Sequence, residues 1–263
     1  MTRFETMASG GWAVEGMKVL MFQSAASPMR NVHMQVAERI GTSIIKGEIQ
    51  PGAPLPSEMR ICEMLDVSRT VVREAIRMLT GKGLVESRAK SGTRVRPPET
   101  WNQFDPDVLR WQLSTTDVDA YLAKLFSLRH AVEPTASALA AASATAEDQE
   151  RIRAACDGMA SATNNEDFVV ADIAFHKSIY LGTRNEFFWP IAQMFEISLR
   201  QSFTIAATGN HRARAIKEHR AVMEAILARD PIAARDATMV LLGHSADDLV
   251  RIRGTDPFGA KAV

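Results

Sequence analysis

Residues 54–95 constrain the fold more than any other part of this 263-residue chain. Ser57 and Ser68 each precede apolar residues at helical spacing, which predicts two short helices with serine N-caps. The second helix is expected to end near Gly83, because glycine tolerates a left-handed C-terminal geometry. Two alternating segments then flank residues 89–92, as in a β-hairpin. The pattern predicts a winged helix-turn-helix, a domain sized for the major groove of DNA.

Charge and composition narrow the class of protein. Residues 30–96 contain 12 Lys and Arg against 7 Asp and Glu, whereas residues 97–263 contain 17 against 22. A basic first part and an acidic second part suit a DNA-binding module joined to a body that avoids DNA, although scatter would give a similar imbalance. Both cysteines lie in apolar helical patterns, and no apolar run is long enough to span a membrane. We therefore expect a cytoplasmic protein without membrane contact.

The periodicity divides the chain into five segments and predicts a mainly α fold. A winged helix-turn-helix is followed by an all-helical antiparallel bundle. We expect Pro134 to kink the longest helix of the bundle, because proline cannot donate the helical hydrogen bond. The expected segments are a disordered tail (1–29), the DNA-binding domain (30–96), a linker (97–116), the bundle (117–253) and a C-terminal tail (254–263).

Four residues of the bundle form a candidate metal site. Asp172 and His176 are four residues apart and share a helix face, and His219 and His244 lie on two later helices. Three imidazoles and one carboxylate suit a borderline divalent ion such as zinc or nickel. Spacing alone cannot show that they converge, so separate structural histidines are the alternative.

The motifs of the chain resemble those of a known family. Pro-Leu-Pro-Ser-Glu at 54–58, Val-Ser-Arg-Thr-Val-Val-Arg-Glu-Ala-Ile-Arg at 67–77 and Ser-Gly-Thr-Arg-Val at 91–95 resemble the DNA-binding domain of GntR-type bacterial transcription regulators. Asp-Ile-Ala-Phe-His at 172–176, with His219 and His244, is similar to the ligand-sensing domain of the FadR-like (FCD) branch. The resemblance implies a homodimer and a metal bound by Asp172, His176, His219 and His244, with zinc first and nickel or manganese as alternatives.

The same resemblance implies an effector pocket above the metal. Arg129 matches an arginine that faces the ligand, and a guanidinium binds a carboxylate bidentately. A surface ion pair between Arg129 and Glu133, one helical turn away, is the alternative. Asn185 matches a family position at a helix boundary, where its side chain is expected to cap or to bind ligand. Arg200 is the third candidate for effector binding.

The DNA contacts are also inferred from the resemblance. Arg60 follows Met59 at a point where the family often has arginine one position earlier, so operator preference cannot be transferred. Tryptophans 101 and 111 are expected to dock the linker on the bundle. The predicted DNA-binding residues are Arg60, Arg69, Thr70, Arg73, Lys90, Ser91, Gly92 and Arg94.

We therefore expect a homodimeric repressor that binds double-stranded DNA at a near-palindromic operator. A small carboxylic acid, such as an aldonate or another sugar acid, is expected to release it. One rival interpretation is a metal-dependent enzyme acting on a hydroxy acid through the same three histidines and aspartate. The other is a DNA-architectural protein whose bundle binds neither metal nor ligand.

Overall fold

The computed structural model describes the backbone of residues 28–88, 92–206 and 212–253, and side chains within 32–88, 92–198 and 212–251. Residues 1–27 of the predicted N-terminal tail and the predicted tail 254–263 lie outside the described residues. Pro28 and Met29, assigned to the tail from the sequence, instead begin the first helix.

The N-terminal part is a winged helix-turn-helix, as the sequence predicts. Ser57 and Ser68 cap two of its helices by accepting hydrogen bonds from the backbone N–H groups of Arg60 and Val71. A two-stranded antiparallel hairpin follows, with Val85 opposite Val95. The elements are α1 (Pro28–Ile45), α2 (Glu58–Leu65), α3 (Arg69–Gly81), β1 (Val85–Arg88) and β2 (Gly92–Val95).

The predicted linker contains a helix, α4 (Pro106–Thr115), which is capped by Asp105. Trp111 lies in the core of the DNA-binding domain, so the expectation that it docks the linker on the bundle is wrong. The reason is that Gly41 of α1, which is distant in the sequence, leaves open the space that the indole fills. A Cβ at position 41 would lie 2.4 Å from the Trp111 ring. Leu109, on another face of α4, packs into the bundle core.

The bundle consists, in its described residues, of helices joined by short turns, without a strand. Its longest helix runs without a break through Pro134, which is buried. Most of the buried apolar residues form one core between the helices. These helices are α5 (Val118–Ser143), α6 (Ala146–Ser161), α7 (Asn165–Gly182), α8 (Trp189–Ala206), α9 (Arg212–Leu227) and α10 (Pro231–Arg253).

Within the described ranges, none of the helices has the length and apolar character that crossing a membrane requires.

Candidate metal and effector site

Two helices of the bundle bring Asp172, His176 and His219 together. All three side chains are buried. The Nε2 atom of His219 lies 2.9 Å from Oδ1 of Asp172, and the Nε2 atom of His176 lies 3.3 Å from the same oxygen. The two Nε2 atoms are 3.4 Å apart. The helical spacing of Asp172 and His176 on α7 places both toward α9, where His219 lies.

In each of the two imidazoles, the hydrogen bond made by Nδ1 determines whether Nε2 carries a hydrogen or a lone pair. His219 Nδ1 lies 2.7 Å from the backbone carbonyl of Ala215, and a carbonyl can only accept, so Nδ1 carries the hydrogen. His176 Nδ1 lies 3.2 Å from Oε2 of Glu133 and donates to that carboxylate. In neutral rings both Nε2 atoms therefore direct lone pairs at Asp172. A carboxylate or carbonyl behind each histidine is the usual support of metal-ligating imidazoles.

Three acceptor atoms this close require a cation between them. Burial opposes charge on His176, but Glu133 and Asp172 raise its pKa to about 9, so a proton supplies that charge when nothing else does. The donors around a tetrahedral zinc, bound at about 2.0–2.1 Å, are separated by about 3.3–3.4 Å. The observed separations match this spacing to within about 0.5 Å. The chemistry and the geometry of the donor set thus fit a divalent metal.

The structure does not bring His244 into this cluster. Its Nδ1 atom lies 2.6 Å from Oε1 of Glu218, and its side chain is 44% exposed. Glu218 precedes His219 on α9 and also lies 3.5 Å from Arg214, so it presents a carboxylate on the neighbouring face of the helix. Three of the four predicted ligands converge, and the fourth is held by this glutamate.

Arg129 forms the ion pair with Glu133 that the alternative interpretation expected, but the pair is buried and does not lie on the surface. Its side chain is 1% exposed, and Nε donates to Oε1 of Glu133 at 2.6 Å. Burial would raise the pKa of Glu133, but Arg129 and His176 lower it to about 2. Glu133 therefore stays ionised and links the arginine to a candidate metal ligand. Spacing pointed to this pair, but it could not show that both partners are buried beside His176.

A small cavity adjoins the cluster. It has a volume of about 10 Å³, enough for about one water molecule. Glu133 and His176 line it, whereas Arg129 is not among its lining residues. The wall is formed by four helices, with Ser137 from α5, Tyr180 from α7, Val222 from α9 and Thr238 from α10. Tyr180 carries a functional group that the sequence analysis did not identify.

The two remaining effector candidates are placed differently. Asn185 follows α7, and its Oδ1 accepts a hydrogen bond from the backbone N–H of Phe187 at 3.1 Å, which is the capping role. Arg200 belongs to α8, but its side chain lies outside the described residues.

The predicted DNA-contacting arginines of the helix-turn-helix lie on an exposed surface. Arg73 Nε lies 2.9 Å from Glu58, and Arg60 Nη1 lies 3.0 Å from Glu63, with about two thirds of each arginine side chain exposed. Arg69 is also exposed and contacts the Met59 sulfur at 3.2 Å. These pairs are weak enough for phosphates or bases to replace the carboxylates.

The predicted wing contacts are only partly described. Thr70, next to Arg69, is exposed. Lys90 and Ser91 lie outside the described residues, whereas Gly92 is exposed with φ of 75°. Arg94 donates to the backbone carbonyl of Gly52 at 2.9 Å, so it braces the base of the wing.

An exposed cationic recognition helix on a winged domain, joined to a bundle with a buried His/Asp cluster, defines a DNA-binding regulator with a sensor domain. The model for bacterial regulatory proteins of the gntR family matches residues 33–95, and the FCD domain model matches residues 124–244. The chain belongs to the GntR family and carries the FCD domain. It is a transcription regulator and not an enzyme.

Known relatives cover most of the chain. It is 33% identical over 216 residues to YieP, an uncharacterized HTH-type transcriptional regulator of Escherichia coli, covering 81% of this chain and 93% of the relative. It is 32% identical over 222 residues to the galactonate operon transcriptional repressor of E. coli, covering 81% and 94%. The solved structure of Lar, which controls the Listeria monocytogenes agr system, has a TM-score of 0.51 at 17% identity, covers 88% of this chain and 100% of that chain, and supports the fold alone.

Proposed function

We propose that this regulator is a homodimeric repressor that a small hydroxy-carboxylate releases from a near-palindromic operator. The observation that carries the proposal is the convergence of Asp172, His176 and His219 on one point, beside a cavity and a buried carboxylate. The name of one relative also supports the proposed function, since that protein is a repressor of a galactonate operon. The acid proposed here is accordingly an aldonate or another sugar acid.

Asp172, His176 and His219 would hold the metal, with zinc first and nickel or manganese as alternatives. Zinc suits two imidazoles and a carboxylate in a tetrahedral arrangement. When bound, the metal supplies a fixed positive charge to which a carboxylate can bind. His244 as the fourth ligand stays a prediction, and it requires the side chain to leave Glu218. A ligand set of three protein residues would leave one position of the tetrahedron for the effector.

The small volume of the cavity supports a sensing role. A sugar acid is far larger than the single water that the cavity admits, so binding must separate α5, α7, α9 and α10. A ligand that binds only the opened bundle shifts the protein toward that state. Arg129 contacts the acid in this proposal only if opening exposes it, because Glu133 now occupies its Nε.

The route to the DNA-binding domain is the α4 helix. Its Trp111 lies in the core of the DNA-binding domain, and its Leu109 lies in the core of the bundle. A displacement of the bundle helices would therefore reorient the DNA-binding domain with α4. In a dimer this changes the spacing of two recognition helices, on which binding to two half-sites depends.

The test combines metal analysis with ligand and DNA binding. The operator would be selected from random duplexes, and its affinity for the full-length protein measured by fluorescence anisotropy. We expect one bound divalent ion per chain, a higher Tm with a sugar acid, and weaker operator binding in its presence. Stripping the metal should abolish the response to the acid. A metal-free protein that binds DNA regardless of every sugar acid, uronate, lactate or dicarboxylate would overturn the proposal in favour of an architectural role.

A matched pair of variants makes the test specific. His176→Gln removes one ligand of the cluster, whereas His130→Gln changes another histidine of the same domain that lies outside it. We expect only His176→Gln to lose both the metal and the response to the acid. The Tm of each variant in a chelator separates this loss from simple unfolding. Equal responses in both variants would place the effector elsewhere.

A further inference from the structure

The hydroxyl group of Tyr180 has no role in the site as described so far. Tyr180 is 1% exposed, and its hydroxyl oxygen is buried without a hydrogen-bond partner among the described residues. Burying a hydroxyl group without a hydrogen-bond partner is unfavourable, so such a group needs an explanation. The same residue lines the cavity beside His176 and Glu133, so the unpaired hydroxyl belongs to a side chain of the candidate effector pocket.

The ring of Tyr180 is held in a fixed position. It packs against Phe195 with ring centroids 5.7 Å apart and against Phe188 at 6.4 Å. Burial raises the pKa of this phenol above its ordinary value, with the negative charge of Glu133 acting in the same direction. The group therefore stays protonated at physiological pH. It offers a hydrogen-bond donor that is already oriented before any ligand enters.

Ser137 places a second hydroxyl in the wall of the cavity, and its oxygen can accept a further hydrogen bond. Thr238 Oγ1 lies 2.8 Å from the carbonyl of Ala234 and 2.8 Å from Ser137 Oγ. Thr238 Oγ1 is the donor in both contacts, so the Ser137 hydroxyl accepts from Thr238 and uses one of its two lone pairs. The Ser137 oxygen then keeps a lone pair on the lining of the cavity. A donor from Tyr180 and an acceptor from Ser137 form a pair that matches a ligand hydroxyl.

The structure assigns Tyr180 as the residue that selects hydroxylated acids over plain carboxylates, by donating a hydrogen bond to a ligand hydroxyl. This inference rests on the proposed function, because it concerns the same pocket. An acid without the hydroxyl leaves the phenol unpaired, which is how a site that hydrogen-bonds its ligand rejects an analogue.

The experiment compares Tyr180→Phe with Tyr121→Phe, which changes the only other tyrosine of the chain. Tyr121 is a matched control because its hydroxyl lies 2.7 Å from Ser198 Oγ, so that hydrogen bond is already made within the protein. The probes are D-galactonate and hexanoate, which share a six-carbon chain and a carboxylate and differ in hydroxyl groups. Titration calorimetry on the metal-loaded full-length proteins gives the two dissociation constants and their ratio, and the metal content of each protein is measured alongside.

We expect the wild type to prefer D-galactonate, and Tyr180→Phe to reduce that preference about tenfold or more with unchanged metal content. Tyr121→Phe should keep the preference of the wild type. Without ligand, Tyr180→Phe should melt at or above the Tm of the wild type, because it removes an unpaired hydroxyl. Tyr121→Phe should lower the Tm by about 2–4 °C.

The outcomes separate this inference from the proposed function. If the wild type binds hydroxy acids and Tyr180→Phe keeps the full preference, the inference is wrong and the proposed function stands. A Tm loss in Tyr180→Phe as large as that in Tyr121→Phe would also overturn it, because the phenol would then have a structural partner. If no sugar acid, uronate or lactate binds the wild type, both fall together.

Discussion

Two of the charged clusters among the described residues differ in how well their donors and acceptors balance. In the first, the Lys82 ammonium at the end of α3 donates to Asp105 and Asp107, each at 2.7 Å. In the second, Asp172 Oδ1 and the Nε2 atoms of His176 and His219 face each other, and all three are acceptors when the rings are neutral. The balanced cluster closes a joint between α3 and α4. The acceptor cluster could hold a metal ion.

The largest effect that would test this contrast is the loss of metal in Asp172→Asn. The amide has the shape of the carboxylate but lacks its charge, so we expect metal affinity to fall by about 100-fold or more. Zinc content after dialysis against graded chelator measures it. Asp236→Asn, on the exposed surface of α10, is the control. A protein that retains tight zinc binding after Asp172→Asn would show that the acceptor cluster is structural, like the other.

The second effect concerns stability instead of metal binding. Lys82→Met leaves two carboxylates facing each other at the joint, because the Lys82 side chain is only 11% exposed. We expect a loss of about 2–3 kcal/mol in the free energy of unfolding with zinc content unchanged. Chemical denaturation of the chelated protein measures it, with the exposed Lys46→Met as control. A loss below about 0.5 kcal/mol would show that the joint is not held by charge.

A third, smaller effect is expected from Glu133→Gln. Glu133 accepts from His176 Nδ1 and from Arg129, so it holds the tautomer of one candidate ligand without touching the metal position itself. A carboxylate that holds a metal-ligating histidine by a hydrogen bond typically contributes about 10- to 100-fold in metal affinity, and we expect about tenfold here. Competition with a zinc indicator gives the value. Glu196→Gln removes an exposed partner of Lys177 and should change nothing.

Sequence periodicity predicted elements well and predicted contacts between elements less well. Ser57 and Ser68 cap the helices expected of them, because capping depends on a few neighbouring residues. The packing of Trp111 was predicted wrongly. Its indole fills the space above Gly41, which lies about 70 residues earlier in the chain. Long-range packing of that kind leaves no local pattern.

The site shows the same division between local and distant information. The pair of Asp172 and His176 is encoded by spacing within one helix, and resemblance added His219. His244 instead lies against Glu218, a contact that no motif expresses. Tyr180 has no motif either. Its importance comes from the lack of a partner in three dimensions, which the sequence does not show.

The smallest effect concerns acid pH and applies only to the balanced cluster. Burial would raise the pKa of Asp107, but Lys82 and Arg110 hold that pKa below its ordinary value. Because the folded pKa is the lower one, this ion pair stabilises the protein above about pH 3.8 and loses that contribution as the pH falls through the folded value. Solvent screening should keep it to about 0.5 kcal/mol. NMR titration of Asp107 in the wild type and in Lys82→Met measures it, and we expect the pKa to move upward in the variant. An unchanged pKa would mean that Arg110 alone sets it, and that Lys82 acts at the joint through Asp105.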